Sequence, residues 1–338
     1  MRTVAELEER LARPTTADVS AMAELDGDLL ILGAGGKMGP SLAALARRAA
    51  DQAKVEKRII AVSRFADDGL RELLSSQKIE TIACDLLEPG SLAKLPDIKN
   101  IIFMAARKFG TTGSAHLTWA MNTHLPGLAA ERYRDSRIVT FSTGNVYPLQ
   151  TVRQGGAVES TAVDPQGEYA QSALGRERMF EYGSHRWGTP VTILRLNYAV
   201  ELRYGVLADI GQSVFERRPI DLRMGFVNVI WQGDANSVCL RAFAHCQSPP
   251  LILNVTGPET LSVRDIAEEF GRHFSIEPIF EVEESPTALL SNAAKSHALF
   301  GCPEVKPSQV VKWIADWIRN DGAMLNKPTH FATRDGKF

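Results

Sequence analysis

The stretch GAGGKMG puts glycines at 33, 36 and 39, directly after an apolar run and ahead of a helical segment. Glycine allows the tight turn and lets backbone come close to a ligand, and the helix start supplies N–H donors and a positive dipole end. That is the chemistry of holding a pyrophosphate, so Gly33, Gly36, Lys37, Met38 and Gly39 are the expected cofactor loop of a dinucleotide-binding unit. The end of the second strand chooses the cofactor. NAD binders place an acid there to accept from the ribose 2′-OH. Here the segment reads AVSRF, with Ser63 and Arg64, and the first acids, Asp67 and Asp68, come slightly later. Arg64 is suited to pairing with a 2′-phosphate and stacking on adenine, although a solvated arginine is the plainer reading. The balance favours NADP over NAD. The seven histidines are scattered without metal-ligand spacing, and the four cysteines lie far apart with no zinc-type pairing.

The elements that position this loop follow from apolar patterning. Strands are expected at 58–63, 80–84, 100–106, 137–142, 191–196 and 250–257, besides the DLLIL run before the loop. Helices are expected between them, at 70–75 and 118–133 for example. Near-continuous apolar strands alternating with helices imply an α/β fold, a Rossmann-type doubly wound parallel sheet covered on both faces. Thr3 to Leu11 reads as a capped helix closed by Pro14, 262–274 as an amphipathic helix capped by Ser262, and 307–322 as another with Val310, Trp313, Ile314 and Trp317 on one face. The expected organisation is an N-terminal helical extension (1–27), a dinucleotide-binding domain (28–196) and a small C-terminal substrate lobe (197–338) that returns one strand, 250–257, to the sheet. The tail KPTHFATRDGKF carries Phe331 and Phe338, which favours docking over the cleft or on a partner subunit.

The chain has 338 residues, 44% of them hydrophobic, and a net charge of −2 from 38 basic and 40 acidic residues mixed along its length. This excludes a basic nucleic-acid surface. No apolar run reaches membrane-span length and the charged N-terminus has no signal-peptide core, so a cytoplasmic protein with reduced thiols is expected.

The Gly-x-x-Gly-x-x-Gly spacing resembles that of the extended short-chain dehydrogenase/reductase family, the sugar-nucleotide epimerases and dehydratases. Further motifs agree over roughly Leu29 to Gly322. CDL (84–86) looks like the family's adenine-contacting pair, which implies Asp85 and Leu86 at the cofactor. MAA (104–106) resembles its fourth-strand motif and implies Ala105 and Ala106. Asn122 matches the family's helix asparagine. FSTGNVYP (141–148) resembles its Ser/Thr segment, and PVTILRLNYAV (190–200) the strand leading to the nicotinamide loop, with Asn197. VNVIWQGDANSV (227–238) resembles the segment that closes the substrate pocket, with Asn228 and Trp231 as substrate contacts, or else a strand with a buried Trp.

By this resemblance Tyr169 is the proton-transferring tyrosine, also close to the cofactor, and Thr143 is the hydroxyl that orients the carbonyl oxygen. Asp164 and Pro165 fit the N-cap and N1 of the tyrosine's helix. Where the family has lysine, four residues on, this chain has Ala173. Bringing a tyrosine from pKa about 10 to about 7 takes roughly 4 kcal/mol, so part of that must come from elsewhere. The positive ring of the oxidised cofactor is one source, Lys108, just past the fourth strand, a second, and Arg176, one turn deeper on the tyrosine's helix face, a third, with surface charge the plainer reading of Arg176. Reducing a ketone needs only a neutral phenol, whereas oxidising an alcohol needs tyrosinate, so the loss of lysine harms oxidation more. Gly144 and Asn145 stand where the dehydratases carry Asp-Glu, which argues against that elimination and leaves Asn145 as a substrate contact. The resemblance thus implies an NAD(P)-dependent oxidoreductase acting on a small sugar-like or polyhydroxylated carbonyl or alcohol, and a homodimer. An epimerase using bound NAD and a non-catalytic NAD(P) sensor are the alternatives.

Overall fold

The computed structural model describes residues 1–66, 68–108, 113–327 and 329–336; Asp67 and Phe338, both named above, lie outside them. Seven strands form the central sheet: β1 Leu29–Leu32, β2 Ile59–Ser63, β3 Glu80–Ala83, β4 Asn100–Phe103, β5 Arg137–Thr143, β6 Val191–Leu196 and β7 Leu251–Val255. Their order is β7-β6-β5-β4-β1-β2-β3, and every pairing is parallel. This is the doubly wound Rossmann-type sheet.

Alternation across the pleat sends successive side chains to opposite faces, and both faces are covered. Leu29, Ile31, Ile102, Val139, Leu194 and Leu253 pack in one apolar layer; Leu30, Leu32, Ile101, Phe103, Ile138 and Ile193 pack in the other. The first layer rests on α3 (Gly39–Ala53), whose buried face is mostly alanine. The second rests on α6 (Leu125–Arg132) and α7 (Gly167–Trp187).

Two helices precede the sheet, α1 (Val4–Leu11), capped by Thr3, and α2 (Thr16–Glu24), closed by a Thr15–Asp18 capping box. Asp18 is fully buried and accepts from Ser237 Oγ at 2.6 Å. Between β2 and β3 runs α4 (Asp68–Ser76). A third apolar cluster joins α8 (Val206–Phe215), α10 (Val263–Phe274) and α12 (Pro307–Arg319) with Leu7 and Leu11 of α1. Two further helices are α9 (Gln232–Arg241) and α11 (Ala294–Phe300).

Two expectations are corrected. The segment 118–133 is not one helix: α5 (Ala115–Trp119) passes through a π-helical turn, Ala120–His124, into α6. The tyrosine helix also starts later than Asp164–Pro165 suggests. The Asp164 N–H is committed to the Val146 carbonyl at 3.0 Å, Gln166 is the N-cap, and Gly167 enters at φ +78°. Among the described residues no helix is long and apolar enough to cross a membrane, and no cluster of three metal-ligating side chains forms.

Candidate active site

The strand order reverses between β1 and β4, and open α/β sheets take ligands in the crevice outside the carboxyl ends at such a point. The glycine loop leaves β1 there and residues 104–108 leave β4. A cavity of about 370 Å³ opens at this edge. Its walls are Gly36, Lys37 and Met38 from the loop, Met104, Ala106 and Lys108 after β4, Thr143 and Asn145 after β5, and Tyr169 and Arg176 from α7. Asn197, Tyr198 and Tyr204 close it from the segment after β6, with Gln232 and Thr329.

The three glycines do different work. Gly33 has φ +93°, and a Cβ there would stand 2.5 Å from the Ala105 nitrogen. At Gly39 a Cβ would strike the Ala34 carbonyl, so the helix could not sit as close to the strand. At Gly36 a Cβ would find nothing nearer than 3.5 Å. The protein's own packing therefore requires glycine at 33 and 39 but not at 36, where glycine fits a ligand brought against the backbone. Met38 caps α3 without a side-chain hydrogen bond, so no capping side chain competes for the N–H groups of the first turn. These features fit a dinucleotide pyrophosphate. At the adenine end β2 finishes at Ser63, with Arg64 exposed beyond it. Asp85 accepts from the Leu87 N–H at 3.0 Å, Leu86 is buried in the core, and Ala105 is buried behind Gly33.

The hydroxyl groups at the centre are ordered. Thr143 Oγ accepts from the Asn145 backbone N–H at 3.2 Å and from Asn145 Nδ2 at 2.9 Å. A hydroxyl has two acceptor sites and one proton, so the Thr143 proton is left to donate. Thr143 is hydrogen-bonded to Tyr169. Burial pushes the Tyr169 phenol above its ordinary pKa, against the pull of Arg176 and of the Thr143 bond. Asn145 thus orients Thr143.

Arg176 is not surface charge. It is 3% exposed and donates to the Phe141 carbonyl at 2.7 Å and to Asn122 Oδ1 at 3.1 Å. Helix side chains lean toward the N-terminus, so its arm covers the turn that carries Ala173, itself fully buried. Asn122, in the π-helical turn, is a hub. Its oxygen also takes the Arg107 N–H, and its amide donates to the Arg107 carbonyl and to Ser172 Oγ, locking the post-β4 segment to α7. Beneath, Glu177 accepts Arg195 in a bidentate buried pair and takes the Ser142 hydroxyl, while Arg195 also donates to Tyr147.

Lys108 Nζ stands 5.7 Å from the centre of the Tyr169 ring, and Lys37 Nζ stands 3.0 Å from that of Tyr204. Two expected substrate contacts are placed elsewhere. Trp231 is 2% exposed in the C-terminal core, edge-on to Trp313, because its bulk is what that cluster packs around. Asn228 lies one layer back, accepting from Asn197 Nδ2 at 2.8 Å and donating to the Ser291 carbonyl. Sequence reasoning missed Tyr198, Tyr204 and Thr329; two tyrosines directly after β6 were the available signal.

A sequence model of the NAD dependent epimerase/dehydratase family matches residues 29–200. No curated protein matches the chain. Among solved structures, the UDP-glucuronic acid 4-epimerase of Bacillus cereus, in complex with a fluorinated UDP-glucuronic acid and NAD, superposes with TM-score 0.73 at 16% identity, covering 86% of this chain and 99% of that one. The dTDP-glucose 4,6-dehydratase of Streptomyces venezuelae, with NAD bound, gives 0.72 at 16% identity, covering 87% and 97%. The UDP-glucose 4-epimerase of Thermotoga maritima gives 0.70 at 13% identity, covering 87% and 99%.

Proposed function

Because the chain belongs to the NAD-dependent epimerase/dehydratase family, we propose that it is an oxidoreductase that reduces the carbonyl of a small sugar-like or polyhydroxylated substrate. The observation that carries this is the ordered chain from Asn145 through Thr143 to Tyr169, ending in a phenol held protonated at the cavity. A nicotinamide bound in the crevice supplies the hydride. Tyr169 gives its proton to the carbonyl oxygen as that oxygen gains charge, and Thr143 replaces part of the lost bond to the phenolate. Gly33, Gly36, Lys37, Met38 and Gly39 would hold the pyrophosphate, with Ser63, Arg64, Asp85 and Leu86 around the adenosine and Ala105, Ala106, Asn122 and Asn197 supporting the nicotinamide side. Arg176, a positioning residue, gives the charge that lysine gives in the family. A dehydratase-type elimination has no acid here, and a side chain at Gly144 would meet Ser291 Oγ at 3.0 Å and Asn197 at 3.1 Å.

The test is turnover with reduced cofactor against a panel of hydroxylated aldehydes and ketones. Tyr169→Phe should lose about 10²- to 10⁴-fold in kcat with cofactor affinity unchanged. Unchanged kcat in that variant sinks the reading in favour of a non-catalytic binder. That Ser63 and Arg64, and no carboxylate, stand at the end of β2 among the described residues, with Arg64 exposed, supports NADPH over NADH. Arg64→Leu should then raise the NADPH KM about tenfold or more and leave NADH alone. Leu117, Trp119, Leu128 and Tyr182, exposed on α5, α6 and α7, suit a homodimer through those helices, which light scattering checks.

A further inference from the structure

The segment that leaves β6 brings two phenols to the reaction cavity, Tyr198 and Tyr204. Tyr198 has φ +44°, in the left-handed region. That region suits glycine; a bulky side chain there costs free energy and persists only where its surroundings over-determine it. They do so here. The Asn197 N–H donates to the Val255 carbonyl at 2.9 Å, and the Asn197 side chain donates to Asn228 at 2.8 Å. The Tyr198 carbonyl takes the Ile230 N–H at 3.1 Å, and Ala199–Val200 pairs in parallel with Ile230–Trp231. The chain is fixed on both sides of Tyr198, which holds that residue in the cavity wall.

The ring has a structural use, since it packs against the cluster of Met224, Leu289 and Leu290. Phenylalanine would serve that use equally. The hydroxyl has no such account. Burial pushes its pKa up with no hydrogen bond to oppose the shift, and among the described residues none bonds it. The Tyr147 hydroxyl, by contrast, donates to Asn254 and accepts from Arg195. A phenol removed from water ordinarily has such a partner. Its place in the sheet is also informative. Thr143 pairs with Leu196 across β5 and β6, so Tyr198 stands two residues beyond the neighbour of the carbonyl-orienting hydroxyl. Charge on Tyr169 and on Tyr198 both reaches the Tyr204 phenol, so the three phenols border one space. We propose that Tyr198 is a specificity-determining residue whose hydroxyl bonds a hydroxyl of the substrate other than the one formed by reduction. This rests on the reading that places the reacting carbonyl at Thr143 and Tyr169. A substrate lacking that hydroxyl leaves the phenol unpaired, and a site built this way rejects it.

The probes are alditols of four to six carbons and their singly deoxygenated forms, titrated calorimetrically into the protein loaded with reduced cofactor. In the parent, removing one particular hydroxyl from an alditol should weaken binding about 5- to 100-fold, as for a polar group left unpaired. Tyr198→Phe should bind the full alditol weaker by a similar factor and lose nothing further with that deoxy form, while cofactor affinity changes less than about threefold. A merely structural hydroxyl would weaken every ligand alike and show no such cancellation. Tyr204→Phe should keep the discrimination. Tyr169→Phe should keep it too, whatever it does to turnover, which separates this test from that of the catalytic reading. Equal binding of every alditol and its deoxy forms in the parent, or no binding of any, overturns the proposal. So does discrimination that survives Tyr198→Phe. If no cofactor binds at all, the reading of the preceding subsection falls first and this one with it.

Discussion

At the scale of single residues the question is how a tyrosine without its lysine is kept useful. In the structure a charge reaches that tyrosine from another position, Arg176. Arg176 begins one turn below Ala173, and its arm runs back up the helix to Phe141 and Asn122, so only a small residue suits position 173. Its charge opposes the burial that raises the Tyr169 pKa. Removing it lets that pKa climb further. A phenol already protonated at neutral pH loses little as an acid, so reduction should hold, whereas alcohol oxidation, which needs tyrosinate, should slow and its rising pH limb should move to higher pH. Arg176→Lys keeps a charge and should shift the limb less than Arg176→Leu, which also takes a donor from the Phe141 carbonyl and leaves Asn122 Oδ1 with the Arg107 N–H alone, a cost of about 1–3 kcal/mol. The pH–rate profiles in both directions decide this, and equal losses in both directions would reduce Arg176 to a structural role. Ala173→Lys alone should lower Tm and gain no oxidation rate, since two cations then compete for one face. The double variant Ala173→Lys with Arg176→Leu should recover the lower-pH limb. The burial of Arg176 was not legible in the sequence, where a helical arginine reads as solvated. That Tyr169 and Thr143 share one cavity was suggested by the motif, but that Asn145 donates to Thr143 needed coordinates.

At the scale of elements, the loop after β1 separates what the fold needs from what a ligand needs. Gly39→Ala should destabilise, because the helix must back away from Ala34 to admit a methyl group. Gly36→Ala meets only the Gly33 carbonyl, at an ordinary 3.5 Å, and should leave Tm within about a degree or raise it slightly, as Gly-to-Ala changes do where the backbone allows them. Yet it should cost cofactor affinity at least about tenfold, because the methyl stands where phosphate oxygens approach. Thermal melts of both variants with and without NADPH test the pair; a Gly36→Ala protein that binds cofactor normally would remove the ligand argument for that glycine. The strands were legible to within a few residues because both faces of the sheet are buried and the apolar runs are unbroken. The π-helical turn at Ala120–His124 was not, since apolar spacing does not distinguish a helix from one widened over a single turn. Its purpose is local: it belongs to Asn122, which bonds the Arg107 backbone and α7 together. The start of α7 was misplaced for a similar reason, because Asp164 has an ordinary cap's identity but its backbone is engaged with Val146.

At the scale of the molecule, the tail completes the site. After α12 the chain crosses back over the cavity. Leu325 donates to the Arg203 carbonyl, Thr329 bonds Asp209 and lines the cavity, and Phe331 packs against two apolar clusters. Arg334 then donates to the carbonyls of Arg223 and Thr287, and Gly336 lies against Gly167, where a Cβ on either would strike the other's strand of backbone. The first turn of the tyrosine helix is thus braced by the last described residues of the chain. Composition alone leaned toward docking only through its phenylalanines; the glycine-on-glycine contact has no sequence signature. To the α8–α10–α12 cluster the strap adds only the partly buried Met324 and Phe331; its fully buried residues, like the sheet, come from the chain before Gly322. Truncation after Gly322 should therefore leave a folded protein with a modestly lower Tm. It strips the cavity of Thr329, frees Asp209 and loosens Gly167, so substrate KM should rise several-fold and kcat fall as Tyr169 loses its fixed start, while cofactor affinity, set at the far side of the crevice, stays nearly constant. Restoring the tail with Gly336→Val should recover the apolar contacts of Phe331 but not kcat, because the valine cannot sit against Gln166 and Gly167. If truncation instead lowered cofactor affinity and left kcat alone, the strap would serve the dinucleotide and not the tyrosine.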